Sequence, residues 1–210
     1  MKRILIVDDH EVVRAGLMRI IERPGTVFGE ASNGVHALKL ASEESWDLVV
    51  LDLSLGERGG LELLKELKQA WPRLPILILS MHSEDQYARR AFQAGAAGYV
   101  TKDSPPAELI KAVNRVIEGG RYVNEATAER FAQDLEKGAD RDRTSHQSLS
   151  DREFEVMRLL GSGKTVGEIA DILQLSNKTV STYRSRILEK MGMKSNAEII
   201  HYAIRNNLSE

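Results

Sequence analysis

The chain contains no cysteine in its 210 residues. That excludes disulfide staples, thiolate catalysis and cysteine-ligated zinc, and it suits a reducing compartment. Charge of one sign is missing too: 29 Lys and Arg stand against 31 Asp and Glu, a formal net charge of −2. Taken whole, that balance argues against a nucleic-acid binder. No stretch approaches the roughly 18 uninterrupted apolar residues of a membrane span. The run Ile4–Val7 is too short for a secretory signal and meets Asp8 and Asp9 at once. A cytoplasmic protein with no membrane partner is expected. Internal repeats are absent as well. What remains is an ordinary globular composition, 42% hydrophobic and 29% charged, in a length that accommodates two domains.

Hydrophobic periodicity divides the chain into two unlike parts. Over the first, short apolar runs (Ile4–Val7, a weaker Val27–Ala31, Leu48–Leu51, Ile76–Leu79 and Gly98–Thr101) alternate with stretches whose apolar residues recur every three or four positions. Such runs suit strands buried on both faces, and five β-α units in succession predict a doubly wound α/β domain around a five-stranded parallel sheet. Residues 122–148 break the pattern: Asn124–Leu135 suits a short helix, and the polar remainder reads as a flexible linker. From 149 to 210 every apolar period is helical. Ser150 with Glu153 and Thr165 with Glu168 are capping-box pairs, and Ser176 and Ser195 are placed to open two more helices, predicting a small all-α domain of four helices. The expected division is 1–121, 122–148 and 149–210.

In doubly wound sheets, ligands bind outside the carboxyl ends of the strands. There the sequence places Asp8 and Asp9 after the first strand, Asp52 at the end of the third, Ser80 at the end of the fourth and Lys102 after the fifth. An acidic residue that ends a strand often does no more than cap the next helix. Converging carboxylates, however, repel unless something positive sits among them, and oxygen ligands favour a hard cation such as Mg²⁺.

Val7-Asp8-Asp9-His10, Leu51-Asp52-Leu53, Leu79-Ser80 and Gly98-Tyr99-Val100-Thr101-Lys102 together resemble the receiver domain of two-component response regulators, across residues 1–120. The resemblance implies that Asp52 is the phospho-acceptor, taking its phosphoryl group from a histidine kinase. It implies that Asp8, Asp9, Asp52 and the Ser54 backbone carbonyl hold Mg²⁺, Asp8 through water. Lys102 and Ser80 would meet phosphoryl oxygens, and Tyr99 would be a switch aromatic whose rotation inward follows Ser80. One departure lies in the loop after Asp52, where Gly56 stands in place of the family's usual proline. His82, two residues beyond Ser80, is either a loop histidine facing solvent or a group that tunes the lifetime of the phosphoryl adduct. Dehalogenase-type phosphatases also use a strand-end Asp nucleophile with Mg²⁺, but they need a general acid two residues later, and here that position is Ser54. No enzyme is therefore expected, beyond self-phosphorylation and slow dephosphorylation of Asp52.

Laid out at 100° per residue, a helix capped by Ser176 gathers Val180, Ile187 and Met191 on one side. Opposite lie the small polar Ser181, Thr182 and Ser185, flanked by Lys178, Arg184, Arg186 and Lys190. Small donors on a ridge bordered by cations suit a helix in the DNA major groove, although an ordinary amphipathic helix with a basic solvent face has the same pattern. Leu149–Val156, Gly163–Ala170 and Lys178–Arg184 resemble the LuxR-type helix-turn-helix domain. By that resemblance Ser181, Thr182 and Ser185 read bases, the four cations contact phosphates, and the last helix, with Ile199, Ile200, Ala203 and Ile204 on one side, forms a dimer contact. Both halves together resemble a NarL/FixJ-family response regulator: a transcription regulator partnered by a histidine kinase and double-stranded promoter DNA, and a homodimer when phosphorylated. Residues 149–210 carry nine basic and eight acidic side chains, but Lys178–Lys194 carries five basic and one acidic. The whole-chain charge averages that local stripe away.

Overall fold

Leu48-Val-Val-Leu-Asp is buried along its whole length, as is Ile76-Leu-Ile-Leu-Ser, and only a strand covered on both faces places such runs without exposing apolar surface. In the computed structural model, which describes residues 1–55, 59–81, 84–136, 145–206 and 208, the strands are β1 (Lys2–Val7), β2 (Thr26–Ala31), β3 (Leu48–Asp52), β4 (Ile76–Ser80) and β5 (Gly98–Thr101). Helices α1 (Glu11–Ile21), α2 (Gly34–Glu43), α3 (Gly60–Ala70), α4 (Glu84–Gln93) and α5 (Pro106–Ile117) alternate with them. The sheet is parallel, in the order β2-β1-β3-β4-β5. Ile4 and Ile6 pack with Leu17 and Ile21 of α1 and with Val113 and Val116 of α5 in one layer of core.

The register aligns the carboxyl ends of the strands. Val7 lies opposite both Ala31 and Leu51, Asp52 opposite Leu79, and Ser80 opposite Thr101. Between β1 and β3 the strand order reverses direction, which opens a crevice at that edge. Asp8, Asp9 and Asp52 border it.

The chain divides into two compact units, Met1–Ala132 and Gln133–Glu210. The first therefore runs past the boundary expected at 121. Tyr122 pairs with Gly98 at the edge of β5, its backbone N–H donating to the Ala97 carbonyl at 3.0 Å and its hydroxyl to Glu108 Oε1 at 3.1 Å. Helix α6 (Glu125–Glu136) follows, with Asn124 Oδ1 accepting from the Thr127 N–H. Phe131 meets the Phe92 ring edge-on at 5.8 Å. The other end of the expected linker is ordered as well: Ser145–Ser148 forms a 3-10 turn, in which His146 Nδ1 lies 2.8 Å from the Tyr202 hydroxyl and the ring stands 5.8 Å from Phe154. Residues 137–144 lie outside the described residues, as do Gly56 and His82.

The second unit holds α7 (Asp151–Gly161), α8 (Val166–Leu173), α9 (Asn177–Met191) and α10 (Asn196–Arg205). Both expected capping boxes are formed, Ser150 with Glu153 and Thr165 with Glu168, and Ser176 and Ser195 accept from the N–H groups of Thr179 and Glu198. Phe154, Met157, Ile169, Val180, Ile187 and Ile199 fill the core. Gln174 ends α8 in the left-handed region at φ 54°, and the Leu175 N–H donates back to the Ala170 carbonyl at 2.8 Å. That turn sends the chain directly into α9. No helix among the described residues is long and apolar enough to cross a membrane.

Candidate functional site

The chain leaving β1 presents a buried Asp8 and a half-buried Asp9, β3 ends in a buried Asp52, and the chain leaving β5 presents Lys102. The Lys102 N–H donates to the Ser80 carbonyl at 2.8 Å, extending the β4–β5 ladder by one residue, so the sheet itself fixes the base of the lysine. Its ammonium then reaches Asp8 Oδ2 at 2.6 Å and Asp52 Oδ2 at 2.7 Å. The family resemblance implies a phosphoryl oxygen as the partner of Lys102 and a water-mediated metal contact for Asp8. Here Lys102 bridges the two carboxylates, because two buried anions repel unless a cation separates them.

The second oxygen of each carboxylate has its own donor. Asp52 Oδ1 accepts from the Ser54 N–H at 3.1 Å, and Asp8 Oδ1 accepts from the His10 N–H at 2.8 Å. Burial raises the Asp52 pKa above its usual value, against the opposing pull of the Lys102 ammonium and the Ser54 N–H. Burial would lower Lys102, but Asp52 and Asp8 more than offset it and raise its pKa. The lysine is therefore a permanent cation held against an acid that ionises reluctantly.

Asp9 stands apart from this arrangement. Its Oδ1 is shut off from water and makes no hydrogen bond, although His10 Nδ1 lies 2.7 Å away. Among the described residues, Asp8, Asp9 and His10 bring one donor atom each within 4.8 Å of one another. The unsatisfied Asp9 oxygen beside the Asp8 carboxylate fits a hard divalent cation.

Ser80 and Tyr99 are fully buried. Ser80 ends β4 next to β3, one strand away from Asp52. Tyr99 lies in β5 with its ring already inside the domain, so the inward rotation expected of it has no outward starting point here. Behind Asp52 the chain returns at Gly60, whose N–H donates to the Leu53 carbonyl at 2.9 Å. A Cβ at Gly60 would stand 2.3 Å from the Asp52 carbonyl oxygen and 2.5 Å from Leu53 Cα. Only glycine allows α3 to start this close to the end of β3. The sequence reading gave Gly60 no role, since a loop glycine beside another glycine carries no sign of what it touches. His10 was legible only as part of a motif, yet a histidine directly after two strand-end aspartates was the available signal.

In the second unit, Ser181, Thr182, Ser185, Lys178, Arg186 and Lys190 are exposed along α9, and Val180 and Ile187 are buried on its other side. Thr182 Oγ1 donates to the Lys178 carbonyl at 2.9 Å and Ser185 Oγ to the Ser181 carbonyl at 3.1 Å, so both hydroxyls rest against the helix with lone pairs outward. The four cations differ. Arg184 Nε donates to Asn196 Oδ1 at 2.5 Å, tying α9 to α10, and Lys190 Nζ pairs with the buried Glu153 at 2.6 Å, tying α9 to α7. Among the described residues Lys178 and Arg186 form no ion pair. Asn196 and Glu153 lie far from α9 in sequence, and no periodicity of α9 alone points to them.

A carboxylate–ammonium site at the switch point of a doubly wound sheet, followed by a four-helix unit with a helix-turn-helix, defines a two-domain regulator that binds DNA. Residues 4–114 match the family described as response regulator receiver domain, and residues 147–203 match that described as bacterial regulatory proteins, luxR family. Across 99% of its length the chain is 37% identical to the response regulator UvrY of Escherichia coli K12, covering 96% of that protein. It is 38% identical to the virulence-factor transcription regulator BvgA of Bordetella pertussis, covering 99% of each. Among solved structures, a LuxR-family response regulator from Aurantimonas is 41% identical over 63% of this chain and 96% of that one, with a TM-score of 0.59. The RcsB–DNA complex is 26% identical over 96% of each chain, with a TM-score of 0.58. The chain belongs to the NarL/FixJ family of two-component response regulators and is a DNA-binding regulator of transcription.

Proposed function

We propose that Asp52 accepts a phosphoryl group from a histidine kinase, and that this modification promotes dimerisation and sequence-specific binding to promoter DNA. The observation that carries the reading is the Asp52 carboxylate itself, buried at the switch point between the Lys102 ammonium and the Ser54 N–H, with Asp8 on the same lysine. A carboxylate oxygen of Asp52 forms the bond to phosphorus as the bond from phosphorus to the kinase's histidine nitrogen breaks. The Lys102 ammonium, already within reach, then passes from the carboxylates to a phosphoryl oxygen, and the Ser80 hydroxyl donates to another. Tyr99, buried in β5 opposite Ile78 and two residues short of the Ser80–Thr101 pair, holds the altered β4–β5 edge in place.

Mg²⁺ would be held by Asp8, Asp9, Asp52 and the Ser54 carbonyl, and when bound it supplies positive charge to phosphoryl oxygens as they become more negative. Ser54 offers no carboxylic acid to activate water, so the adduct persists as a signal and no separate substrate is turned over. In functional terms the receiver occupies 1–121, the connection 122–148 and the DNA-binding domain 149–210. The protein works in the cytoplasm, where kinase and promoter are both accessible.

In the DNA-binding domain, Ser181, Thr182 and Ser185 face base edges. Lys178 and Arg186 contact phosphates directly, whereas Arg184 and Lys190 do so while bracing α9 against α10 and α7. The structural relative RcsB has been solved on DNA, which supports placing α9 in the groove. The test is incubation with a small phosphodonor and Mg²⁺ followed by intact-mass measurement. The wild-type chain should gain one phosphoryl group and Asp52→Asn none; an equal gain in both assigns the acceptor elsewhere.

A further inference from the structure

We propose that His10 is a ligand of the divalent-cation site, and that its imidazole shifts the site's preference from Mg²⁺ toward borderline cations such as Mn²⁺ and Co²⁺. This rests on the reading that the Asp8–Asp9 corner holds a divalent cation. His10 Nδ1 lies 2.7 Å from Asp9 Oδ1 and 3.4 Å from Asp8 Oδ1. Neighbouring donors around one ion, each about 2.1 Å from it, stand about 3.0 Å apart when they subtend a right angle, and the two observed separations bracket that spacing. The donor atoms of all three side chains lie within 4.8 Å of one another, within reach of one ion.

Two further features point the same way. Asp9 Oδ1 is closed off from water and takes no hydrogen bond, so the close approach of the imidazole does not satisfy it. His10 also stands at the N-cap of α1, where side chains usually accept from the first helical N–H groups, and it makes no such bond. Its backbone N–H donates to Asp8 Oδ1 at 2.8 Å, which holds the residue's backbone beside that carboxylate. The side chain is 68% exposed, which leaves room for an ion and its remaining waters. Carboxylate and carbonyl oxygens alone suit Mg²⁺; one imidazole nitrogen adds affinity in the order in which divalent metals favour nitrogen, Mn²⁺ below Co²⁺.

A different role for the same ring has the opposite consequence. If His10 stood as a cation against Asp9, it would compete with the metal, and its removal would strengthen binding of every divalent ion.

The test titrates the full-length protein with Mg²⁺, Mn²⁺ and Co²⁺ by calorimetry, and records the visible absorption of the Co²⁺ form, in wild type, His10→Ala and Asp9→Asn. The expected result is tightest binding of Co²⁺ by the wild type. His10→Ala should lose about tenfold in Co²⁺ affinity, keep Mg²⁺ affinity within about twofold and alter the Co²⁺ absorption band. An unchanged Co²⁺ affinity and spectrum in His10→Ala, or tighter binding of all three ions, overturns the role of His10 and leaves the aspartate site intact. Absence of metal binding in the wild type, or wild-type affinity in Asp9→Asn, removes the aspartate site and this inference with it.

Discussion

Lys102 is the residue on which the receiver corner depends, because its ammonium, among the described residues, bridges the two buried carboxylates. Lys102→Met keeps the length of the side chain and removes the charge, leaving Asp8 and Asp52 uncompensated. Loss of one partner from a buried ion pair costs about 3–5 kcal/mol, and urea unfolding at neutral pH should read a loss of that size. The deficit should shrink as pH falls through the carboxylate range, since protonating the stranded acids removes their cost. In the wild type, the raised Asp52 pKa has its own sign: the stability this group contributes is fully present below the usual Asp value and is lost as pH rises through the raised folded one. Gly60 gives a second prediction at this scale. A Cβ there meets backbone atoms of Asp52 and Leu53, which cannot swing away, so Gly60→Ala should slow phosphorylation of Asp52 while costing about 1–3 kcal/mol in the same unfolding assay.

At the scale of elements, the proposed function separates binding from bracing along α9. Arg186→Ala removes an exposed cation that makes no ion pair among the described residues, so it should weaken DNA binding uniformly across sequences and lower the salt slope by about one per subunit, with unfolding unchanged. Lys190→Ala should weaken binding and also destabilise the helical unit, because Glu153 is buried beneath it. Burial would raise the Glu153 pKa, but the bonds from Lys190 and Ser150 outweigh it and hold the group below its usual range. The stability it contributes is present above the ordinary Glu value and is lost as pH falls through the depressed one. Glu153→Gln should flatten that acid limb, as read by hydrogen exchange in α7.

The elements themselves were legible in the sequence to within a few residues. Strand burial leaves uninterrupted apolar runs, and helix starts leave Ser or Thr three residues before Glu, so both are local signals. What was not legible depends on contacts between distant residues. The Lys102 bridge joins the ends of three strands, and its partners depend on which carboxylate oxygens already have donors. The extension of the first unit to Ala132 rests on Tyr122 and Phe131 finding the β5 edge and Phe92, contacts that no period within 122–148 announces.

At the scale of the whole molecule, a net charge of −2 sets the terms of recognition. Long-range attraction to DNA is weak in a chain of this charge, so the proposed function places binding on the local stripe along α9 and gains affinity by doubling that stripe in a dimer. On the proposed function, phosphorylation of Asp52 is read out as assembly and DNA affinity. The measurement that tests this most directly follows size by light scattering and DNA binding by fluorescence anisotropy, before and after a small phosphodonor with Mg²⁺. The DNA is a duplex selected by the phosphorylated protein from a random inverted-repeat pool. Phosphodonor should convert the wild-type chain to a dimer that binds more tightly and with a steeper salt slope, and should leave Asp52→Asn as it was. Equal tightening in Asp52→Asn, or phosphorylation of the wild type with no change in size or affinity, would contradict the account.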